Sequence, residues 1–426
     1  MGIIKKILNY QKDDSLIRDG IILFTATMIG NFAAYLFHFG MGRFLGPAEY
    51  GVLGAILSLL YLLLVPFNVI QTTISKFVAK FKAQNEENKI KYLFYKALRR
   101  LLIVGIIGLI IFLILSPWIS EFLKINKKNI MMLSIIVPFV LLLPINRGVL
   151  QGFQKFKALG VNLIIEALTK LAIGFLLVLM GFGLRGAVIG IILSYIIPFL
   201  SSLILLRKEY SKKEENIEEK TIYKYSIPVL ITLLSLTAFY SIDVMLVKHY
   251  FDEISAGQYA AMAILGRIVF FASLAISMVM FPKVAEMDAQ KKPNAHILKK
   301  ALALVAIVST GITTTYFLIP NIVVQLLFGK EYLIITNYIA PFALLMSFFS
   351  LTYLLALYNL SVNRTSFIYI LLSFNIIEIT SIVLFHNTLK QVLTFLGITM
   401  GLMFITILAY TLIKNARALN NNTSIQ

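Results

Sequence analysis

Long apolar runs dominate the sequence, and short polar segments separate them. A run of about 20 apolar residues forms a helix that spans the hydrocarbon core of a bilayer. Apolar residues make up 59% of the 426 residues and charged residues only 14%, whereas a soluble domain carries about 25% charged residues. The pattern predicts an all-α, multi-pass membrane protein. It excludes a soluble enzyme, a disordered chain and a fibre.

Twelve runs are long enough to be predicted as transmembrane helices. A polar, basic stretch precedes the first run and lacks the small-residue cleavage site of a signal peptide, so we expect no cleaved signal. The predicted spans are residues 20–40, 51–75, 101–119, 130–150, 159–180, 186–206, 225–247, 255–281, 301–319, 335–360, 366–384 and 391–413.

Lysine and arginine are distributed unevenly between the two predicted sides of the membrane. With the N-terminus in the cytoplasm, 28 of the 39 basic residues fall in cytoplasmic segments and 8 in outer loops. Cytoplasmic loops of membrane proteins carry this excess. We therefore expect a cell (cytoplasmic) membrane protein with both termini in the cytoplasm. The net charge of +19 then reflects topology, and we expect no nucleic-acid partner.

The chain is predicted to consist of two six-helix bundles, residues 1–206 and 225–426, joined by a cytoplasmic linker at 207–224. The linker carries six basic and five acidic residues. Ile164-Ile165-Glu166 recurs as Ile376-Ile377-Glu378, and Ala48-Glu49-Tyr50 resembles Gly257-Gln258-Tyr259. Six spans per half give a parallel repeat, an arrangement of transporters whose substrate site lies between the halves.

Six ionisable residues fall within predicted spans, where such side chains usually pair inside the bundle or line a wet cavity. Glu166 and Lys170 are four residues apart, on the helix face that also carries Asn162. They form either a local ion pair or a cavity-lining stripe, and the two interpretations are compatible. Within the stripe, Lys170 is the favoured substrate contact.

Arg267 lies in the middle of the eighth span and has no carboxylate partner on its own helix. The planar guanidinium donors suit phosphate oxygens, so we predict an anion contact. The alternative is an ion pair with Glu378 or Glu166 on another helix.

Asp243 lies near the outer end of the seventh span and is the candidate site for a coupling ion. The alternative is a structural bond to Lys248 or His249. Arg147 ends the fourth span on the predicted cytoplasmic side, where we expect it to reach lipid phosphates.

Amides within spans complete the candidate cavity, although such groups more often bond between helices. No metal centre is predicted, because cysteine is absent and the four histidines are scattered. No cofactor is expected; coupling to H⁺ or Na⁺ is left open. The glycine pairs Gly186/Gly190 and Gly397/Gly401 predict close helix packing. The candidate substrate-binding residues are Arg267, Lys170, Glu166, Asn162, Asn31, Glu378 and Asn375.

Three stretches resemble the polysaccharide flippase family, the O-antigen and repeat-unit exporters of the multidrug/oligosaccharidyl-lipid/polysaccharide (MOP) superfamily. The first reads Gly-Arg-Phe-Leu-Gly-Pro-Ala-Glu-Tyr-Gly at 42–51, and the second reads Gln-Thr-Thr-Ile-Ser-Lys-Phe-Val-Ala at 71–79. The third is Ser-Ile-Asp at 241–243, followed by Gly-Gln-Tyr at 257–259. The resemblance covers most of the chain.

The resemblance implies about twelve helices in a MATE-like, V-shaped pair of bundles with a cationic central cavity. It implies a transporter rather than an enzyme. By alternating access, such a protein moves a polyprenyl-(di)phosphate-linked oligosaccharide from the cytoplasmic to the outer leaflet. Arg267 matches in position an eighth-span arginine that contacts diphosphate in the related peptidoglycan-precursor flippases. The expected partners are the lipid-linked oligosaccharide and membrane lipids, and we expect a monomer.

Two other functions remain as alternatives. A cation-coupled drug antiporter of the same superfamily is the first, although the carboxylate often present in the first span of that branch is absent here. A membrane-embedded glycosyltransferase or polymerase is the second; the longest outer segment, 320–334, offers it only Glu331 as an acid. The first two spans hold no mid-membrane arginine, which argues against a lipid II flippase.

Overall fold

The regular structure of this protein is helical. The computed structural model describes residues 2–84, 86–206, 220–290 and 293–423, and every regular element within these ranges is a helix. Over the same ranges, ten segments are long and apolar enough to cross a membrane. The prediction of an all-α membrane protein is confirmed. Helices satisfy every backbone polar group internally, which lipid requires. Most of the predicted linker, residues 207–219, lies outside the described ranges.

The helices vary widely in length, from eight residues to 62. A π-helical stretch (Val178–Phe182) precedes α7, and a 3₁₀ helix (Lys330–Ile335) precedes α13. In chain order the α-helices are α1 (Gly2–Leu63), α2 (Val65–Ala83), α3 (Glu87–Leu123), α4 (Lys127–Ser134), α5 (Ile136–Gly152), α6 (Phe156–Leu177), α7 (Gly183–Leu205), α8 (Lys220–Phe239), α9 (Ile242–Tyr250), α10 (Glu253–Ala289), α11 (Ala295–Leu318), α12 (Pro320–Leu327), α13 (Thr336–Ser361), α14 (Phe367–Leu384) and α15 (Leu389–Thr423).

Two of the ten apolar segments are much longer than one membrane crossing requires. They are Thr25–Ala79, with 55 residues, and Phe156–Leu205, with 50; about 20 residues suffice for one crossing. Each is interrupted where glycine adopts a positive φ: Gly46 (φ 69°) in the first, and Gly181 (φ 89°) in the second. Because glycine lacks a Cβ, the chain can leave the helical conformation at these points at little steric cost.

Contacts group the chain into two units. Unit 1 comprises residues 1–45 and 63–226, and unit 2 comprises residues 46–62 and 227–426. The part of α1 that follows the interruption at Gly46 therefore belongs to unit 2, although α2 belongs to unit 1. The predicted bundles at 1–206 and 225–426 did not include this exchange and stay a prediction.

Within unit 2, residues 46–62 lie directly against the start of α10. A Cβ atom added at Gly257 would lie 1.7 Å from the carbonyl oxygen of Pro47, and one added at Gly51 would lie 2.7 Å from the Gly257 nitrogen. Only glycine fits such a backbone-to-backbone approach. The two motifs that resemble each other in the sequence thus meet in space, and Tyr50 and Tyr259 are both buried beside the contact.

Unit 1 is held together by similarly close helix contacts. A Cβ at Gly190 on α7 would lie 2.6 Å from the Cα of Gly174 on α6, as expected for small residues at helix interfaces. The prediction for the second glycine pair is wrong. A Cβ at Gly397 or Gly401 on α15 would meet no atom of the described structure within 4 Å.

Helix α3 shows how the apolar surface is used. Only 17% of the most apolar stretch of this helix is buried, and side chains such as Ile103, Ile107 and Ile114 are at least half exposed. In water a continuous apolar face of this size would favour aggregation. Lipid removes that penalty, which fits a helix at the rim of the protein.

Candidate functional site

Three of the predicted cavity residues converge in unit 1. A cavity of about 220 Å³ lies between α1 and α6, and Asn31, Glu166 and Lys170 line it. The remaining lining residues are small or apolar apart from Thr27: Ala26, Thr27, Gly30, Ala34, Leu163 and Ala167. The helical spacing of 163, 166, 167 and 170 places one face of α6 toward the cavity. Of the predicted stripe, Glu166 and Lys170 thus line the cavity, whereas Asn162 does not.

Lys170 keeps its charge available within this cavity. Its ammonium lies 5.1 Å from the centroid of the Phe37 ring, a cation–π contact worth about 1 kcal/mol. No carboxylate of the described residues lies within ion-pair distance of the Lys170 ammonium. Glu166, four residues earlier on the same helix, pairs with Arg147 instead. The local Glu166–Lys170 ion pair does not form.

The partner of Glu166 is Arg147 on α5. Nη2 of Arg147 lies 2.6 Å from Oε2 of Glu166, and its Nε donates to Oδ1 of Asn162 at 2.7 Å. Arg147 is only 3% exposed and its guanidinium stacks on Phe67. The expectation that Arg147 reaches lipid phosphates is therefore wrong. Its charge is satisfied inside the bundle, which a buried arginine requires.

Asn162 joins three helices rather than lining the cavity. Its side-chain amide donates to the carbonyl oxygen of Pro198 at 2.8 Å and to Oγ of Ser201 at 3.1 Å, both on α7. Together with the bond from Arg147, these contacts satisfy a side chain that is fully buried. Its position on the same helix face as Lys170 did not distinguish this structural role.

In unit 2, the seventh predicted span is a broken helix. α8 ends at Phe239, α9 begins at Ile242, and turn residues Tyr240 and Ser241 lie between them. Neither glycine nor proline marks the break, so the sequence carried no local signal for it. Broken helices within membranes leave backbone groups unpaired, and these must find partners in the protein.

Arg267 supplies the partner at this break. Its Nη2 donates to the carbonyl oxygen of Tyr240, where the negative end of the α8 dipole favours a cation. The guanidinium also lies 5.3 Å from the ring centroids of both Tyr61 and Tyr240, and the side chain is 3% exposed. The predicted anion contact is thus occupied by the protein's own groups. Glu378 has no hydrogen-bond partner among the described residues, which include Arg267, so the alternative bond to it does not form.

Two buried carboxylates lie in the same unit. Asp243, in the first turn of α9, accepts a 2.8 Å hydrogen bond from the hydroxyl of Tyr259, rather than from Lys248 or His249. Its Oδ1 and both oxygens of Glu378 are buried, and no residue that the structure describes hydrogen-bonds to them. The two carboxylates are close enough to repel each other electrostatically. Buried polar atoms without partners are rare and mark sites of function or of an unseen ion.

Asn375 lies one turn before Glu378 on α14. Its amide donates to Oγ of Ser235 and, at 3.0 Å, to the carbonyl oxygen of Leu371. It therefore ties α14 to α8 near the carboxylates. No group of three or more histidine, aspartate or glutamate side chains that could hold a metal occurs among the described residues.

The fold defines the class of protein. The structure has a TM-score of 0.78 to an inward-facing multidrug-resistance MATE family transporter of the MOP superfamily, with 11% identity, covering 94% of this chain and 99% of that one. It has a TM-score of 0.68 to the lipid II flippase MurJ, with 16% identity, covering 93% and 87%. The chain is thus a multi-pass membrane protein with a transporter-like MOP fold.

The sequence gives the particular family. The chain belongs to the polysaccharide biosynthesis protein family, whose model it matches over residues 41–337. It is 26% identical over 309 residues to an uncharacterized membrane protein of Methanocaldococcus jannaschii, covering 68% of this chain and 71% of that protein. It is 25% identical over 209 residues to stage V sporulation protein B of Bacillus subtilis, covering 45% of this chain and 38% of that protein. The family predicted from the motifs is confirmed.

Proposed function

We propose that this protein is a flippase. It moves polyprenyl-(di)phosphate-linked oligosaccharides from the cytoplasmic to the outer leaflet by alternating access. Membership of the polysaccharide biosynthesis family supports the cargo class, and the transporter-like fold supports the mode of action. Lys170 is the observation that carries the proposal. Within the described part of the chain it is a cation without an ion-pair partner, in a cavity that also offers the Asn31 amide.

The chemistry of the unit 1 cavity suits this cargo. Lys170 provides a positive charge for a phosphate oxygen. Asn31 offers an amide that can both donate to and accept from sugar hydroxyls. Glu166 adds an acceptor, and its carboxylate is shared with Arg147, which lies 2.6 Å from it. The remaining lining side chains are small or apolar apart from Thr27.

The proposed topology has twelve crossings and both termini in the cytoplasm. The two long segments Thr25–Ala79 and Phe156–Leu205 then cross the membrane twice each, with the turns near Gly46 and Gly181 on the outer side. The uneven distribution of basic residues supports this orientation. We propose one chain as the transport unit.

Coupling to H⁺ or Na⁺ would use Asp243 and Glu378. Two ionised carboxylates that repel each other are costly to bury, and Arg267, which attracts Asp243, offsets only part of their charge, so they need further compensation. A shared proton or a small cation supplies that compensation. Its binding and release would change the energy of the broken helix on which Asp243 lies.

Export in cells lacking the chromosomal gene tests the proposal. Lipid-linked oligosaccharides are extracted from cells carrying the wild type, Lys170→Ala or Lys170→Arg, and mass spectrometry and a leaflet-accessibility assay identify and locate them. We expect Lys170→Ala to reduce export at least tenfold at unchanged protein level, because a charge-assisted bond contributes about 1.5–3 kcal/mol. Lys170→Arg should retain most activity.

Lys157→Ala is the matched control, since Lys157 lies on the same helix but outside the cavity and is exposed. Normal saccharide export in the deletion strain would refute the flippase proposal. Wild-type export by Lys170→Ala would refute the cavity assignment alone.

A cation-coupled antiporter of small molecules is the second candidate. The buried carboxylate pair of unit 2 and the TM-score of 0.78 to a MATE transporter favour it. Drug tolerance would then fall on deletion while lipid-linked saccharides stay at wild-type levels. The transporter-like fold gives no support to a glycosyltransferase or polymerase.

A further inference from the structure

A groove lies between the C-terminal part of α10 and the N-terminal part of α11, away from the residues considered so far. Its volume is about 440 Å³. Apolar side chains form its walls, among them Ala275, Ile276, Val279 and Leu304. All four lie within Glu253–Phe281 and Ala295–Leu318, two segments that are long and apolar enough to cross a membrane. Walls of this kind suit the apolar chain of a membrane lipid.

One end of the groove is basic. Lys283, two residues beyond the first of these segments, lines it together with His296 and Lys300 in the first two turns of α11. All three side chains are exposed, and none of them bonds to a described residue. Lys89, by contrast, is a loop-proximal lysine whose ammonium bonds to Glu86 at 2.7 Å. Within the described part of the chain, the basic groups of the groove can thus receive a ligand.

We propose that this groove binds an anionic phospholipid of the surrounding bilayer. The phosphate lies between Lys283, His296 and Lys300, and an acyl chain follows the apolar walls. Basic pockets between transmembrane helices recognise anionic headgroups in this way. The distribution of lysine and arginine assigns this end to the cytoplasmic side, where anionic lipids concentrate. The site is independent of the cargo that the protein carries.

The combination of charge and apolar depth separates a phospholipid from other ligands. A free phosphate ion would use only the basic end, and a zwitterionic lipid would bring its own cation to the lysines. An anionic lipid matches both parts. Each basic residue near an anionic headgroup contributes about fivefold to binding, so the loss of two lysines should weaken it roughly 30-fold.

Lipid titration of the full-length protein, followed by native mass spectrometry, tests the proposal. The probes are phosphatidylglycerol and phosphatidylcholine, each added to protein in neutral detergent. We expect preferential binding of one phosphatidylglycerol, weakened roughly 30-fold in Lys283→Gln/Lys300→Gln. The control Lys157→Gln/Lys299→Gln removes the same charge from exposed lysines outside the groove and should change binding less than twofold.

Ala275→Phe fills the groove without changing its charge and should also weaken phosphatidylglycerol binding at least fivefold. Equal binding of the two lipids would overturn the proposal. Equal weakening by both double variants would do so as well, since it would show attraction to net charge only. If Ala275→Phe bound phosphatidylglycerol as the wild type does, and inorganic phosphate competed for the site, the basic end would bind phosphate but the apolar groove would not bind lipid. That result would also overturn the proposal.

Discussion

Units 1 and 2 both place basic and acidic side chains within apolar segments, but they neutralise them in opposite ways. In unit 1, Arg147 lies 2.6 Å from Glu166, and Lys170 is left in a cavity. In unit 2, Arg267 bonds to a backbone carbonyl and also attracts Asp243 electrostatically, while Asp243 and Glu378 keep oxygens that no described residue hydrogen-bonds. The cation in a cavity thus lies in unit 1, and the buried carboxylates lie in unit 2.

This difference shows that a charge in the middle of a span does not by itself mark a substrate contact. Arg267 was predicted to contact an anion because it lies mid-span, yet the break between α8 and α9 gives its guanidinium a structural partner. A local ion pair with Glu166 was one predicted role of Lys170, yet the carboxylate of Glu166 pairs with Arg147 instead. The role of each charge depends on which neighbour satisfies it.

The largest effect on stability is expected from breaking the ion pair of unit 1. Arg147→Gln leaves Glu166 in a partly buried position without its partner, and should lower the free energy of unfolding by about 3 kcal/mol. Thermal unfolding of the purified protein in detergent measures this loss. The double variant Arg147→Gln/Glu166→Gln should recover most of it, because no uncompensated charge remains. A double variant no more stable than the single one would show that the pairing matters less than packing.

A smaller loss is expected from the arginine of unit 2. Arg267→Gln keeps an amide donor but removes two cation–π contacts, which together contribute about 2 kcal/mol. It also removes a positive charge that attracts Asp243. The same thermal assay applies, and here Glu378→Gln should give no rescue. Rescue by Glu378→Gln would mean that Arg267 compensates that acid after all. Loss of export at full stability would restore Arg267 as a substrate contact.

The smallest effect on stability, and one of opposite sign, is expected from the carboxylates of unit 2. Glu378→Gln removes a buried acid whose oxygens have no partner, so the free energy of unfolding should stay constant or rise by about 1 kcal/mol. Transport in vesicles under an imposed H⁺ or Na⁺ gradient should lose its dependence on that gradient. A clear loss of stability would show that Glu378 has a structural partner in the folded protein. Gradient-dependent transport at the wild-type level would remove it from the coupling site.

Much of the fold was predictable because lipid imposes simple rules. The length of the apolar runs and the lack of hydrogen-bond partners in lipid predict helices, and the motifs at 42–51 and 71–79 indicate the family. The break at Tyr240 was not predictable, since neither glycine nor proline marks it. The contribution of residues 46–62 to unit 2 was also missed, because hydropathy reports burial in lipid and not the neighbouring helix.

The sequence predicted which residues belong to polar sites, but it did not predict which of them lie together. All the ionisable residues singled out within spans lie in cavities or polar clusters, since lipid penalises an exposed charge. Only Asn31, Glu166 and Lys170 share a cavity, whereas Asn162 joins helices and Arg267 satisfies a broken one. Spacing along one helix cannot distinguish these roles, because the deciding partners come from other helices.

The sequence alone determined that this is a helical membrane protein of the polysaccharide biosynthesis family, because apolar length and short motifs are properties of consecutive residues. Only the tertiary structure decided which charged side chains have an ion-pair or hydrogen-bond partner and which have none among the described residues. Glu166 pairs with Arg147, which lies 19 positions earlier in the chain. Gly257 packs against the backbone of Pro47, which is far from it in the sequence. Electrostatic and packing energies act through distances in space, and the folded chain sets those distances.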